Sequence, residues 1–85
     1  MAETMGDRIR MYRARLRLSQ TALGKLVGLS ANAVSQLEKG EVEPRAVHLK
    51  ALAQVLGVSS DYLLGLTRHA EPREVKPADG ALVPA

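Results

Sequence analysis

The stretch that decides the fold is residues 20–39, with the sequence QTALGKLVGLSANAVSQLEK. It holds two runs of apolar residues at helical spacing, and Gly28 separates them. Ser19 and Ser30 precede the runs and are favourable N-caps, while glycine allows the positive φ of a tight turn. The stretch therefore predicts two short helices that meet at a steep angle. Leu23, Leu26 and Val27 are expected on one face of the first of these helices. The residues expected to hold the two helices together are Leu23, Val27, Leu29, Val34 and Leu37.

A further helix is predicted before this stretch. Thr4 is a candidate N-cap, and Asp7 follows it at the spacing of a capping box. Ile9, Tyr12 and Leu16 recur at i, i+3 and i+7, which predicts one apolar face. Four arginines of this segment are expected to lie mostly in solvent: Arg8, Arg10, Arg15 and Arg17.

Two more helices are predicted after it. Pro44 excludes a helix in the loop that follows Gly40. A fourth helix is indicated by apolar residues at i, i+3, i+4 and i+7 from Leu49 to Leu56, with a stop at Gly57. Ser59 or Ser60 would cap a short fifth helix that ends at Gly65.

The composition favours one small helical domain. The chain has 85 residues, of which 46% are hydrophobic, and tyrosine is its only aromatic type, present twice. It has no cysteine, which excludes disulfides, thiolate metal sites and cysteine nucleophiles. No apolar run reaches the roughly 20 residues of a membrane span, and no signal peptide is evident, so a cytoplasmic protein is expected. No metal or cofactor is expected.

The positive charge is concentrated at one end of the chain. Net charge is +3, yet residues 1–40 hold seven Lys or Arg against three Asp or Glu. A polyanion partner such as a phosphate backbone is compatible with this distribution, although charge alone does not establish one.

The last part of the chain differs in composition. Residues 66–85 contain three of the four prolines and balanced charges, which predicts an extended or disordered tail. The alternative is that Ala81, Leu82 and Val83 form an arm that docks on a second subunit or a protein partner. We therefore divide the chain into a folded domain, 1–66, and a tail, 67–85.

Several local sequences occur in a characteristic order. They are Ser19-Gln20, Gly28-Leu29-Ser30, VSQLEKG at 34–40, Pro44, LAQVLGVS at 52–59 and DYLLG at 61–65. In this order the sequence resembles the lambda-repressor-like or Cro-repressor-type helix-turn-helix family, also called the xenobiotic-response-element family. The resemblance covers residues 5–65 and implies an all-α, compact five-helix DNA-binding domain, with helices two and three forming the helix-turn-helix.

The resemblance also implies which residues contact bases. In the family, the second helix of the motif enters the major groove of double-stranded DNA. Asn32 and Gln36 lie one turn apart, and each amide can donate and accept together, as a bidentate contact with adenine requires. Ala31 or Ala33 could offer a methyl group to thymine. The base-contacting positions implied are Ala31, Asn32, Ala33, Ser35 and Gln36.

Other positions are implied to contact phosphates or the minor groove, namely Ser19, Gln20, Lys39, Arg45 and Arg10. Gln20 would act at the N-terminus of helix two, where free N–H groups favour an anion. Arg13 matches a family arginine that pairs with the residue at Glu38, which implies a structural ion pair. The alternative places Arg13 on a phosphate.

The sequence departs from the family at two positions. Gly24 stands where alanine is most common; glycine suits a close approach of helices but costs up to about 1 kcal/mol of helix stability. Arg45 stands where a capping Ser or Asp is common, so helix four would start without that cap.

The function implied is sequence-specific regulation of transcription, most simply repression by a homodimer on a palindromic operator. The alternative is an antitoxin or another protein-interaction module that uses the same fold, with DNA binding as autoregulation. An enzyme is not expected, because His48 and His69 are isolated and no nucleophile pattern occurs. The dimer surface is expected on helix five, near Tyr62, Leu63 and Leu66, or on the tail.

Overall fold

The computed structural model describes residues 3–71, which form five helices and no strand. The helices are α1 Met5–Arg15, α2 Gln20–Val27, α3 Ala31–Lys39, α4 Ala46–Leu56 and α5 Ser60–Leu64. The predicted all-α, five-helix fold is therefore confirmed. None of these helices is long and apolar enough to cross a membrane.

The helices begin where the sequence predicts, because the expected caps form. Thr4 and Asp7 make a reciprocal capping box: the backbone N–H of Thr4 donates to Asp7 Oδ2, and the backbone N–H of Asp7 donates to Thr4 Oγ1, each at 3.1 Å. Ser19 Oγ accepts the N–H of Ala22 at 2.9 Å, and Ser30 and Ser59 cap α3 and α5 in the same way. Arg45 makes no capping bond at α4, as expected from its side chain.

The helices enclose one core. α2 packs against α3 and α4, while α1 packs against α3, α4 and α5. α1 comes closest to α3 at Gly6, where a Cβ atom would lie only 2.3 Å from the backbone oxygen of Glu38. The buried apolar residues are Ile9, Leu23, Val27, Val34, Leu37, Leu52, Ala53, Leu56, Val58 and Leu63.

Two leucines expected in the core are exposed. Leu16 lies beyond the last residue of α1, where the helical periodicity no longer determines its direction. Leu26 is 58% exposed, whereas the buried face of α2 consists of Leu23, Gly24 and Val27. The prediction of an inward position was therefore wrong for both leucines.

Arg8 was expected in solvent, but its side chain is only 12% exposed. Its Nε and Nη2 donate to the carbonyl oxygen of Leu63 at 3.3 and 3.1 Å, so it satisfies a backbone acceptor near the end of α5. Its guanidinium also lies 5.8 Å from the ring centre of Tyr62. The rings of Tyr62 and Tyr12 pack edge to face, with their centres 5.7 Å apart. Arg8 and the tyrosine pair therefore join α1 to α5.

The chain turns back after α5. The backbone N–H of Ser59 donates to the carbonyl oxygen of Ala70 at 2.9 Å, and Ala70 packs against the core. Ordered contacts thus continue past Leu66, although the division into 1–66 and 67–85 stays a prediction. The arm proposed at Ala81, Leu82 and Val83 lies outside the described residues.

Candidate nucleic-acid interface

The turn between α2 and α3 depends on two glycines. Gly28 has φ +82°, a left-handed conformation that side-chain-bearing residues rarely adopt. Leu29 donates its N–H to the carbonyl oxygen of Gly24 at 2.8 Å, which closes the turn. A Cβ atom at Gly24 would lie 2.3 Å from the backbone oxygen of Leu29, so a side chain at this position would force the turn to shift.

The polar face of α3 carries the two amides predicted to contact bases. Val34, Leu37 and Glu38 are buried and fix the inner face of the helix. Asn32 is exposed and Gln36 is half-buried, and residues four apart lie on the same face of a helix. Ala31 and Ser35 are half-buried beside them.

Ala33 has a different environment from the other predicted base-contact residues. It is half-buried and, with Leu29, Leu37 and Pro44, lines an apolar cavity of about 180 Å³ beside the loop before α4. Its methyl group therefore borders this open cavity, and a contact with thymine stays a prediction.

A buried ion pair joins α1 to α3. Arg13 Nε and Nη2 donate to Glu38 Oε2 and Oε1 at 2.5 and 3.0 Å, and the Glu38 side chain is only 4% exposed. Arg13 Nη1 also donates to the carbonyl oxygen of Leu18 at 2.9 Å. The hydrogen bond with Glu38 raises the pKa of Arg13 above its ordinary value, which favours the charged guanidinium.

Gln20, a predicted phosphate contact, belongs to the same cluster. Its Nε2 donates to Glu38 Oε1 at 3.1 Å. Sequence reasoning missed this bond because Gln20 and Glu38 are 18 positions apart and no local pattern links them. Only the packing of α2 against α3 brings them together.

The other predicted phosphate contacts lie at the surface. Lys39 and Arg45 are exposed at either end of the loop that joins α3 to α4. Arg10 is exposed, and its Nη2 lies 3.4 Å from Asp7 Oδ1. The other carboxylate oxygen of Asp7 accepts the backbone N–H of Thr4. The Ser19 hydroxyl accepts a bond as the cap of α2, and its own hydrogen stays free to donate.

Comparisons with known proteins agree with this geometry. The repressor protein C2 of Salmonella phage P22 is 50% identical over 62 residues, which is 73% of this chain and 29% of the repressor. The HTH-type transcriptional regulator DicA of Escherichia coli K12 is 41% identical over 61 residues, 72% of this chain and 45% of DicA. This chain thus spans less than half the length of either relative.

Solved structures show the same likeness. The P22 c2 repressor protein, in a crystal structure with a synthetic operator, superposes with a TM-score of 0.73 at 49% identity. The match covers 74% of this chain and 96% of that chain. A family model described as helix-turn-helix matches residues 9–63, which include α2, the turn and α3. This chain therefore belongs to the lambda-repressor-like helix-turn-helix family.

Proposed function

We propose that this protein regulates transcription by binding double-stranded DNA at specific sequences, most simply as a repressor. The observation that carries the proposal is the face of α3, where the amides of Asn32 and Gln36 project from a helix fixed by its buried side. The similarity to a phage repressor crystallised with a synthetic operator supports it.

Bases and phosphates would be contacted by different residues. Asn32 and Gln36 would read base edges in the major groove, where amide side chains suit adenine. Lys39 and Arg45 would contact phosphates, which carry no sequence information but contribute much of the affinity. The exposed basic residues of positions 1–40 would add a general attraction to DNA.

The small size of one α3 helix supports the proposal of a homodimer on a palindromic operator. A single helix reads only a few base pairs, so two would occupy major grooves about 34 Å apart. Leu66 is 75% exposed directly after α5, and Leu64 is also exposed, so this end of the molecule offers an apolar surface for pairing. Solution mass of the full chain and of Leu66→Lys tests this surface: the variant should be monomeric if the surface forms the dimer.

The function is tested by selecting bound sequences from random duplex DNA at two salt concentrations. We expect enrichment of a two-fold symmetric site and affinity that falls steeply with salt. Lys39→Ala should weaken binding to all sequences alike. If no sequence were enriched, the proposal would fail and a protein-interaction role would be favoured.

A further inference from the structure

We infer that Glu38 is a positioning residue for DNA binding. Its buried carboxylate accepts a hydrogen bond from Gln20 Nε2 and so orients the Gln20 amide. In that orientation the amide nitrogen can donate its second hydrogen to a DNA phosphate. The inference rests on the proposed function and on the assignment of Gln20 to a phosphate contact. It adds that this contact depends on a side chain of α3 that does not itself reach DNA.

The first step is the orientation of the amide. A carboxylate accepts hydrogen bonds and cannot donate, so Glu38 selects the nitrogen of Gln20 and rejects its oxygen. An amide nitrogen has two hydrogens, and Glu38 Oε1 takes one of them at 3.1 Å. A phosphate oxygen also needs a donor, and the second hydrogen on the same nitrogen supplies it. A freely rotating amide would present its oxygen part of the time, which repels a phosphate.

The second step is the charge. Glu38 without a partner would place a negative charge near the start of α2, where the phosphate must approach. Arg13 binds Glu38 through two N–H groups and compensates that charge. The first turn of α2 then keeps its free backbone N–H groups and positive dipole end for the anion. Arg13 therefore acts in the same unit as Glu38.

The experiment measures binding of the full chain to a short fluorescent DNA duplex of mixed sequence, since phosphate contacts do not depend on sequence. Gln20→Ala should weaken binding about tenfold, the effect of one hydrogen bond to a charged group. Glu38→Gln should weaken it similarly. In the Gln20→Ala background, Glu38→Gln should cause a clearly smaller loss than it causes in the wild type, because the side chain it positions is already absent and only its ion pair with Arg13 is still broken. Additive losses would overturn the inference, since they would mean that Glu38 acts independently of Gln20.

A second variant keeps the test decisive if Glu38→Gln does not fold. Gln20→Asn leaves the ion pair intact and retains the amide, but it is one methylene too short to reach Glu38 and a phosphate together. We expect it to bind DNA as weakly as Gln20→Ala; binding equal to that of the wild type would overturn the inference. Gln54→Ala, an exposed amide on α4, is the matched control and should bind normally.

Salt dependence separates this contact from a charge contact. Gln20 is neutral, so Gln20→Ala should leave the slope of log affinity against log salt unchanged, whereas Lys39→Ala should reduce it by about 0.9. A reduced slope for Gln20→Ala would contradict a neutral hydrogen bond at this position. A wild-type protein that does not bind the duplex would instead overturn the proposed function.

Discussion

Arg13 and Glu38 join α1 to α3 through two hydrogen bonds, and Glu38 is the only charged residue among the buried residues of the described chain. The carboxylate is satisfied by Arg13 and Gln20 together, so the cost of its burial is offset. Since α3 carries the predicted base contacts, this pair fixes the helix that would read DNA against α1.

We expect Arg13→Ala to lower the free energy of unfolding by about 3 kcal/mol, because it leaves a buried carboxylate without its cation. Urea denaturation measures the loss. Arg10→Ala is the matched control: it removes an exposed arginine from the same helix and should change the midpoint little. An unchanged midpoint for Arg13→Ala together with weaker DNA binding would contradict the structural role and favour a phosphate contact.

Asn32→Ala and Gln36→Ala should each relax base preference at one position per half-site, at a cost of about 1–3 kcal/mol in specific binding. Each removes a bidentate amide and leaves the inner face of α3 untouched. Competition between the selected site and single-base variants of it measures the preference. Full discrimination by both variants would show that α3 does not read bases through this face.

Gly24→Ala should destabilise the protein by about 1 kcal/mol. Strain from the added Cβ, typically about 2 kcal/mol, outweighs the helix propensity of alanine, about 1 kcal/mol. The strain arises because the added Cβ would meet backbone atoms of the turn, the Leu29 oxygen at 2.3 Å, and not the end of a flexible side chain. Thermal unfolding measures the effect, with Thr21→Ala, at an exposed position of α2, as the control. A Gly24→Ala variant more stable than the wild type would contradict the close approach.

Asp7 should make stability depend on acid pH. The backbone N–H of Thr4, followed by its hydroxyl, lowers the pKa of Asp7 below its ordinary value of 3.8. A carboxylate with a lowered pKa stabilises the fold above its unfolded pKa, and this contribution is lost as pH falls through the lowered value. Asp7→Asn should therefore melt below the wild type at neutral pH, and the difference should disappear in acid. If the melting temperatures of Asp7→Asn and the wild type differed by the same amount at every pH, the charge of Asp7 would be excluded as the cause.

The segment after α5 should contribute to stability. A chain that ends at residue 71 keeps the hydrogen bond from Ser59 to Ala70, whereas a chain that ends at Leu66 loses it together with the packing of Ala70. We expect the shorter chain to be less stable by about 1 kcal/mol, the net value of one hydrogen bond. Equal melting temperatures would place the end of the folded domain at residue 66.

Local chemistry explains why so much of the fold was predictable. Thr4, Ser19, Ser30 and Ser59 accept N–H groups three residues away, so each cap is determined by a few adjacent residues. The exposure of Leu26 and the burial of Arg8 were not predictable in this way, because each depends on which helix packs nearby. The family resemblance indicated an Arg13–Glu38 pair, but no pattern indicated that Gln20 joins it.

The sequence by itself determined the five helices, the caps at which four of them begin and the membership of a helix-turn-helix family, since caps, glycine stops and apolar spacing act over a few residues. Only the tertiary structure decided how Gln20, Arg13 and Glu38 meet, because these side chains come from three helices and are brought into contact by packing alone. It likewise decided that Arg8 donates to the Leu63 carbonyl of α5 and that the Leu29 carbonyl lies against Gly24. Long-range contacts depend on how surfaces fit, and no local spacing in the sequence encodes that fit.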